Sequence, residues 1–248
     1  MADILQLPKV WNRFIDSHGL VVHGTGDGGD TLANQCTLYY VNAATGMPLP
    51  PRTLEPAFIS LFFVNGIPVR HPWAPFGWEN TTNRTSRDQI IPLLCYMCTT
   101  DSIRPKNGFI SFFKAYLAHL CLFAWNTLGN GPGAVIHKVP DVLGPQVLAL
   151  WVRYWRAWFL YPVLCVLDLY TLINVLLNLY QFRKGTADPD QRNLGLVAHC
   201  NVEIMPTPIS MISKALYGCK LPAWSANKFW ASDANEPPID TYWLKLFQ

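Results

Sequence analysis

The sequence predicts an all-α fold, a single domain over residues 1–248 built of helical hairpins with long loops at one end. Three observations carry that prediction. Half of the 248 residues are hydrophobic and only 14% are charged, against about 25% in an average soluble domain. That balance supplies a core and excludes a disordered chain. Two long apolar segments, 109–128 and 145–182, read as helices. Glycine and proline gather between the apolar runs, where helix stops and loops belong. The composition also excludes collagen and simple coiled coils.

Residues 1–22 read as a short helix or an extended arm. A glycine-rich loop follows from His23 to Asp30. Thr31 to Ala44 reads as a helix that Asp30 or Thr31 can cap and Gly46 can end. Helix is the preferred reading of 54–64, although Asn65-Gly66 could close a hairpin between 58–64 and 67–71. A long loop with Pro68, Pro72, Pro75 and Gly77 spans 65–85. Ser86-Arg87-Asp88-Gln89 then forms a capping-box pattern ahead of Ile90 to Cys98. A cap at Ser86 would carry Pro92 past the first turn, and a cap at Asp88 brings it nearer the start.

Phe109 to Leu128 forms a helix stopped at Gly129, and 129–145 a loop. Pro145 suits the first turn of the next helix. That helix runs to about Phe182, with Pro162 expected to kink or break it. Arg183-Lys184-Gly185 ends it, with cations at the negative helix pole. Residues 185–206 read as a polar loop and Ile209 to Tyr217 as a short helix. The tail from Leu221 reads as irregular.

The net charge is +3, with no run of five like charges. Phosphate neutralisation wants a basic stripe, so no nucleic-acid partner is expected. The first fourteen residues lack the apolar run of a secretory signal, which points to a cytoplasmic protein. Seven cysteines, an odd number in mostly apolar surroundings, suit a reduced compartment. Cys95 and Cys98 have no second pair at zinc-finger spacing and read as buried helix residues. No metal or cofactor is expected.

Ala157 to Tyr180 contains a single charge, Asp168, and is long enough to span a bilayer. Asp168, Thr171, Asn174, Asn178 and Gln181 share one helix face at about 100° per residue. Such a stripe fits a soluble helix packed on three sides, the reading taken here. It also fits a membrane helix whose polar side meets a partner or cavity, so membrane association through 157–180 stays open.

Two loops hold the residues suited to chemistry. The loop 23–30 ends in Gly29-Asp30-Thr31, without the lysine of a phosphate loop. Its acids, Asp27 and Asp30, suit proton transfer, a hydroxyl-rich ligand or a metal. The second loop contains Arg70, His71, Trp73, Trp78 and Glu79, and leads to Arg87, Asp88 and Gln89. Indoles stack on sugar faces, and arginines, amides and acids bind hydroxyls and carboxylates. Loops of this content on a helical scaffold are binding loops.

Gly-Gly-Asp before a helix, an aromatic loop, and Ser-Arg-Asp-Gln opening another helix are similar to a pattern in uncharacterised phage and bacterial proteins. Over roughly 20–180 the arrangement also resembles the α/α-toroid glycosidases and lyases. The resemblance implies a partial toroid acting on carbohydrate. Asp30 and Asp88 match by position the acids at helix starts. In hydrolysis one carboxyl would protonate the glycosidic oxygen while the other activates water or attacks the sugar. In a lyase His71 or a tyrosine would take the proton, with Arg70 or Arg87 neutralising the uronate. Trp73, Trp78, Glu79, Gln89 and Asp27 would bind substrate. The second expectation is a non-enzymatic protein, phage-type structural or membrane-associated. It would use its apolar helices and aromatic loops for contacts, since Trp, Tyr and Arg are common interface anchors.

Overall fold

The computed structural model describes residues 11–22, 30–64, 67–73, 87–100, 145–184 and 193–225, with Ile239, Tyr242 and Leu246. Its regular structure is helical apart from one antiparallel pair of two-residue strands, so the chain is all-α. The expected helix at 109–128 and most of the loops 23–30 and 65–85 lie outside the described residues. Two compact units make up the chain: Met1–Val135 with Ser232–Leu246, and Ile136–Ala231.

The first unit is built on helix α1, Thr31–Thr45, which packs against helix α2, Arg87–Thr99. Leu32, Cys36, Leu38, Tyr39, Tyr40 and Val41 bury most of α1. Gly46 ends it as expected: at φ +73 its N–H reaches Asn42 O at 2.8 Å, a left-handed cap that glycine adopts without strain. Asp30 stands at the N-cap position, yet its side chain makes no capping bond. Helix α2 starts at Arg87, so Pro92 lies inside it. Cys95 and Cys98 are buried there as core side chains.

Both readings of 54–64 hold in part. Pro56–Phe62 is a 3-10 helix, followed directly by strand β1, Phe63–Val64. That strand pairs antiparallel with β2, Ile67–Pro68, with Phe63 opposite Pro68 and Val64 opposite Ile67. At the N-terminal side Trp11, Phe14 and Leu20 are buried. Trp11 meets the Tyr242 ring edge-on at 5.5 Å, and the Tyr242 hydroxyl donates to Pro48 O at 2.9 Å.

The second unit holds α3 (Pro145–Trp155), α4 (Tyr161–Lys184), α5 (Asn193–Ile204) and α6 (Pro208–Ser225). Three expectations need correction. The helix that begins at Pro145 stops at Trp155, where Arg156 turns left-handed at φ +53 and Trp158–Leu160 forms a 3-10 turn. Pro162 therefore lies in the first turn of a new helix, where its missing N–H breaks no bond, and it does not kink α4. The polar loop expected over 185–206 contains α5. Its Asn, His and Glu positions suggest a loop, but the leucines, valines and isoleucine between them can form an apolar helix side. Helix α6 continues past Tyr217 to Ser225, through Gly218 and Pro222 and into the expected tail.

Local bonds set the ends of these helices. Thr207 caps α6 reciprocally with Ser210: the Ser210 N–H donates to Thr207 Oγ1 at 3.0 Å and the Thr207 N–H to Ser210 Oγ at 2.9 Å. This is a capping box with serine in the usual place of glutamate. Arg153 donates to the Glu203 and Ile204 carbonyls at 2.6 and 2.9 Å, satisfying acceptors at the end of α5 that have no partner within the helix. The Tyr161 hydroxyl donates to Pro206 O at 3.0 Å, which places the end of α5 beside the start of α4.

Candidate functional site

In the first unit, three segments meet at the start of α1. Asp16 begins a tight turn, its carboxylate accepting the N–H groups of His18 and Leu20 at 2.8 Å each. Gln35 then holds the following residues on α1, accepting the Val21 N–H at 3.1 Å and donating to the Tyr39 hydroxyl at 2.8 Å. The Tyr39 hydroxyl in turn donates to Leu54 O at 2.7 Å. Arg70 O accepts the Leu32 N–H at 2.9 Å, docking residues 70–73 on the same helix end.

This scaffold brings four of the expected site residues together. The Arg70 guanidinium lies 3.8 Å from the Asp30 carboxylate. His71 is buried, with Nδ1 accepting the Trp73 N–H at 3.2 Å and Nε2 lying 3.7 Å from Asp16 Oδ2. Trp73 is 46% exposed and stacks on His18 at 4.3 Å. Both His71 nitrogens thus face the protein, an arrangement that orients the ring within the fold. Burial pushes the Asp16 carboxyl up, but His71 and the two N–H groups outweigh that and hold it below the usual range.

Asp16 and His18 were not singled out by sequence reasoning. An Asp two residues before a His and three before a Gly is an Asx-turn signal, but nothing local shows that the turn meets residues 71–73. Asp27, Trp78 and Glu79 lie outside the described residues. Arg87, Asp88 and Gln89 open α2, with their side chains outside the described set. The separation of the Asp30 and Asp88 carboxyls is therefore not defined. Among the described residues no group of three His, Cys, Asp or Glu could hold a metal.

The second unit has a different character. The predicted polar stripe of α4 turns inward: Asp168, Thr171 and Asn178 are buried. Asp168 accepts from Asn201 Nδ2 at 3.0 Å and from Thr207 Oγ1 at 2.5 Å, so it ties α4 to α5 and to the cap of α6. The Glu203 carboxylate lies 3.6 Å from His199 and 3.7 Å from Lys214. Burial, with Lys214 nearby, pushes His199 down to about 3. The imidazole is therefore neutral, and Lys214 is the cationic partner of Glu203.

The outer side of α4 is apolar and open. Phe159 just ahead of it is 80% exposed, and Val166 and Tyr170 are each 67% exposed. Val163, Leu169, Ile173, Leu176, Leu177 and Tyr180 are exposed as well. At 100° per residue the exposed side chains of α4 cover an arc of about 140°. The most apolar 18-residue stretch of Trp158–Gln181 has a mean hydropathy of 1.9, and only 22% of it is buried. The described side chains of α4 are packed on the Asp168 side and open on the other.

No protein-family model matches the chain, and no curated protein and no solved structure matches it.

Proposed function

We propose that the chain is a membrane-associated protein whose second unit contacts lipid through helix α4. One observation carries the reading: an uncharged, exposed apolar surface runs the length of α4, while the helix's one acid is tied up inside the unit. In water this surface is unfavourable by about 25 cal/mol for each Å² left uncovered. A contiguous patch of this kind marks a contact surface. The test is flotation of the full chain with phospholipid vesicles on a density gradient. The protein is expected to float with the vesicles and to stay bound in high salt, because the attraction is apolar. Monodisperse protein left at the bottom of the gradient, without detergent, would overturn the reading.

A second reading, carbohydrate processing at the first unit, is favoured by the half-exposed Trp73 indole beside the Asp30–Arg70 pair. Its test is turnover of neutral and uronate-containing polysaccharides by the wild type and by Asp30→Asn and Asp88→Asn. Loss of about 10²–10⁴-fold in rate supports catalytic carboxyls, and absence of turnover by the wild type ends this reading.

A further inference from the structure

We infer that α4 crosses the bilayer from end to end, with Arg156, Trp158 and Tyr161 at one lipid–water interface and Tyr180, Arg183 and Lys184 at the other. This rests on the membrane reading and adds to it the depth and direction of the helix.

Length is the first argument. The 24 residues of α4 rise about 36 Å at 1.5 Å each, and a hydrocarbon core is about 30 Å thick. The ends supply the second. Exposed aromatic side chains and cations occur together at both ends, Arg156 and Trp158 before the helix and Tyr180, Arg183 and Lys184 at its close. Aromatic rings and cations with long stems anchor a span at its two interfaces. The third argument excludes a helix lying flat in one leaflet surface. A flat helix presents a charged face to water opposite its apolar face. Here the opposite face is covered by α5 and α6 and has no exposed charge, since Asp168 is fully buried. Asn174, at the flank of the apolar arc, donates its amide to Tyr170 O at 2.8 Å, so that polar group is satisfied within the helix as lipid requires. The charges around Glu203 also fit, because the end of α5 lies beside Tyr161, at an interface and not at mid-depth.

Thiol labelling in sealed vesicles tests the crossing. Arg156→Cys, Lys184→Cys and the double variant, each in the full chain, are reconstituted and treated with a membrane-impermeant maleimide, and labels added over wild type are counted by intact mass. If α4 crosses, the labelled fractions of the two single variants are complementary. The double variant then gains one label per molecule before detergent and two after, whatever the mixture of orientations. If the same molecules of the double variant gain two labels from outside while the rest gain none, both ends are on one side. The crossing is then wrong while membrane association stands. Failure of the wild type to float removes the membrane reading itself. A discrete dimer in detergent-free buffer, broken by Val166→Lys, would assign the α4 surface to a second copy and overturn both. Trypsin on the unmodified protein is the control for misfolded variants. In sealed vesicles each molecule should be cut after Arg156 or after Lys184 but not after both.

Discussion

Gly19 shows how little space some positions leave. Its φ is +82, and a Cβ there would lie 2.6 Å from Arg52 O and 2.7 Å from Leu54 N. Both obstacles are backbone, so neither can move aside cheaply. Gly46 shares the left-handed backbone, but a Cβ would meet nothing within 4 Å. Gly46→Ala should therefore cost only the backbone term, about 1–2 kcal/mol, and Gly19→Ala distinctly more. Denaturant midpoints of the two variants measure the difference, and equal losses would mean the contact at Gly19 relaxes. Three residues earlier, Asp16 gives the first unit a pH dependence of known sign. Its folded-state pKa is lowered, so its contribution is present above the unfolded carboxylate value of about 3.9 and lost as pH falls through the folded value. Urea midpoints measured from pH 6 to pH 3 should fall at the acid end, and by less in Asp16→Asn. In the second unit Asp168→Ala would remove the acceptor shared by the Asn201 amide and the Thr207 hydroxyl and leave them their longer contacts to Thr171 and Ser210, at a total of roughly 1–3 kcal/mol. Thermal unfolding followed by circular dichroism reads that loss.

Among the helices, α4 separates two kinds of residue within about a turn and a half. Ile173→Lys changes the open side and Asp168→Ala the packed side. Ile173→Lys should leave helix content and melting behaviour in detergent near those of wild type, yet reduce flotation with vesicles, because a lysine at mid-span costs about 2.5–3.5 kcal/mol. A variant that floats as well as wild type would mean Ile173 does not meet hydrocarbon. Helix α4 also marks how far the sequence could be read. The Gly46 stop, the Pro145 start and the Arg183-Lys184 end depend on the residue types at each helix end, so local patterns reveal them. The polar stripe was legible too, since periodicity tells which residues share a side. What each side faces depends on α5 and α6, and α5 was itself hidden because its Asn201 and Glu203 find partners in α4 and α6. The break at 156–160 stayed hidden for a related reason: Pro162 suggested a kink at its own position, and nothing local to Arg156 announced its left-handed turn. At the candidate site, Arg70, His71 and Trp73 stood out by residue type. Asp16 and His18 did not, since their meeting with 71–73 is made by the chain's return to α1.

Taken whole, the molecule distributes its apolar surface unevenly. Among the described residues, thirteen of the sixteen exposed large hydrophobic side chains belong to the second unit and three to the first. Cysteine reactivity should follow the fold in both units. Cys36, Cys95, Cys98 and Cys200 are buried, and burial pushes the Cys36 thiol far up. Thiolate is the reactive form, so these four should resist a water-soluble maleimide until the chain is denatured. Peptide mapping before and after urea checks this. The inward turn of the α4 stripe also has a calorimetric consequence. The described interior of the second unit holds eight polar side chains beside ten apolar ones, while its large apolar residues already face outward. Unfolding such a unit exposes less new apolar area than usual and more new polar area, and the two change the heat capacity with opposite sign. In detergent its heat-capacity increment should fall below the usual 12–15 cal/mol/K per residue, roughly. The curve of its stability against temperature should be correspondingly flat, with cold denaturation displaced to temperatures far below freezing.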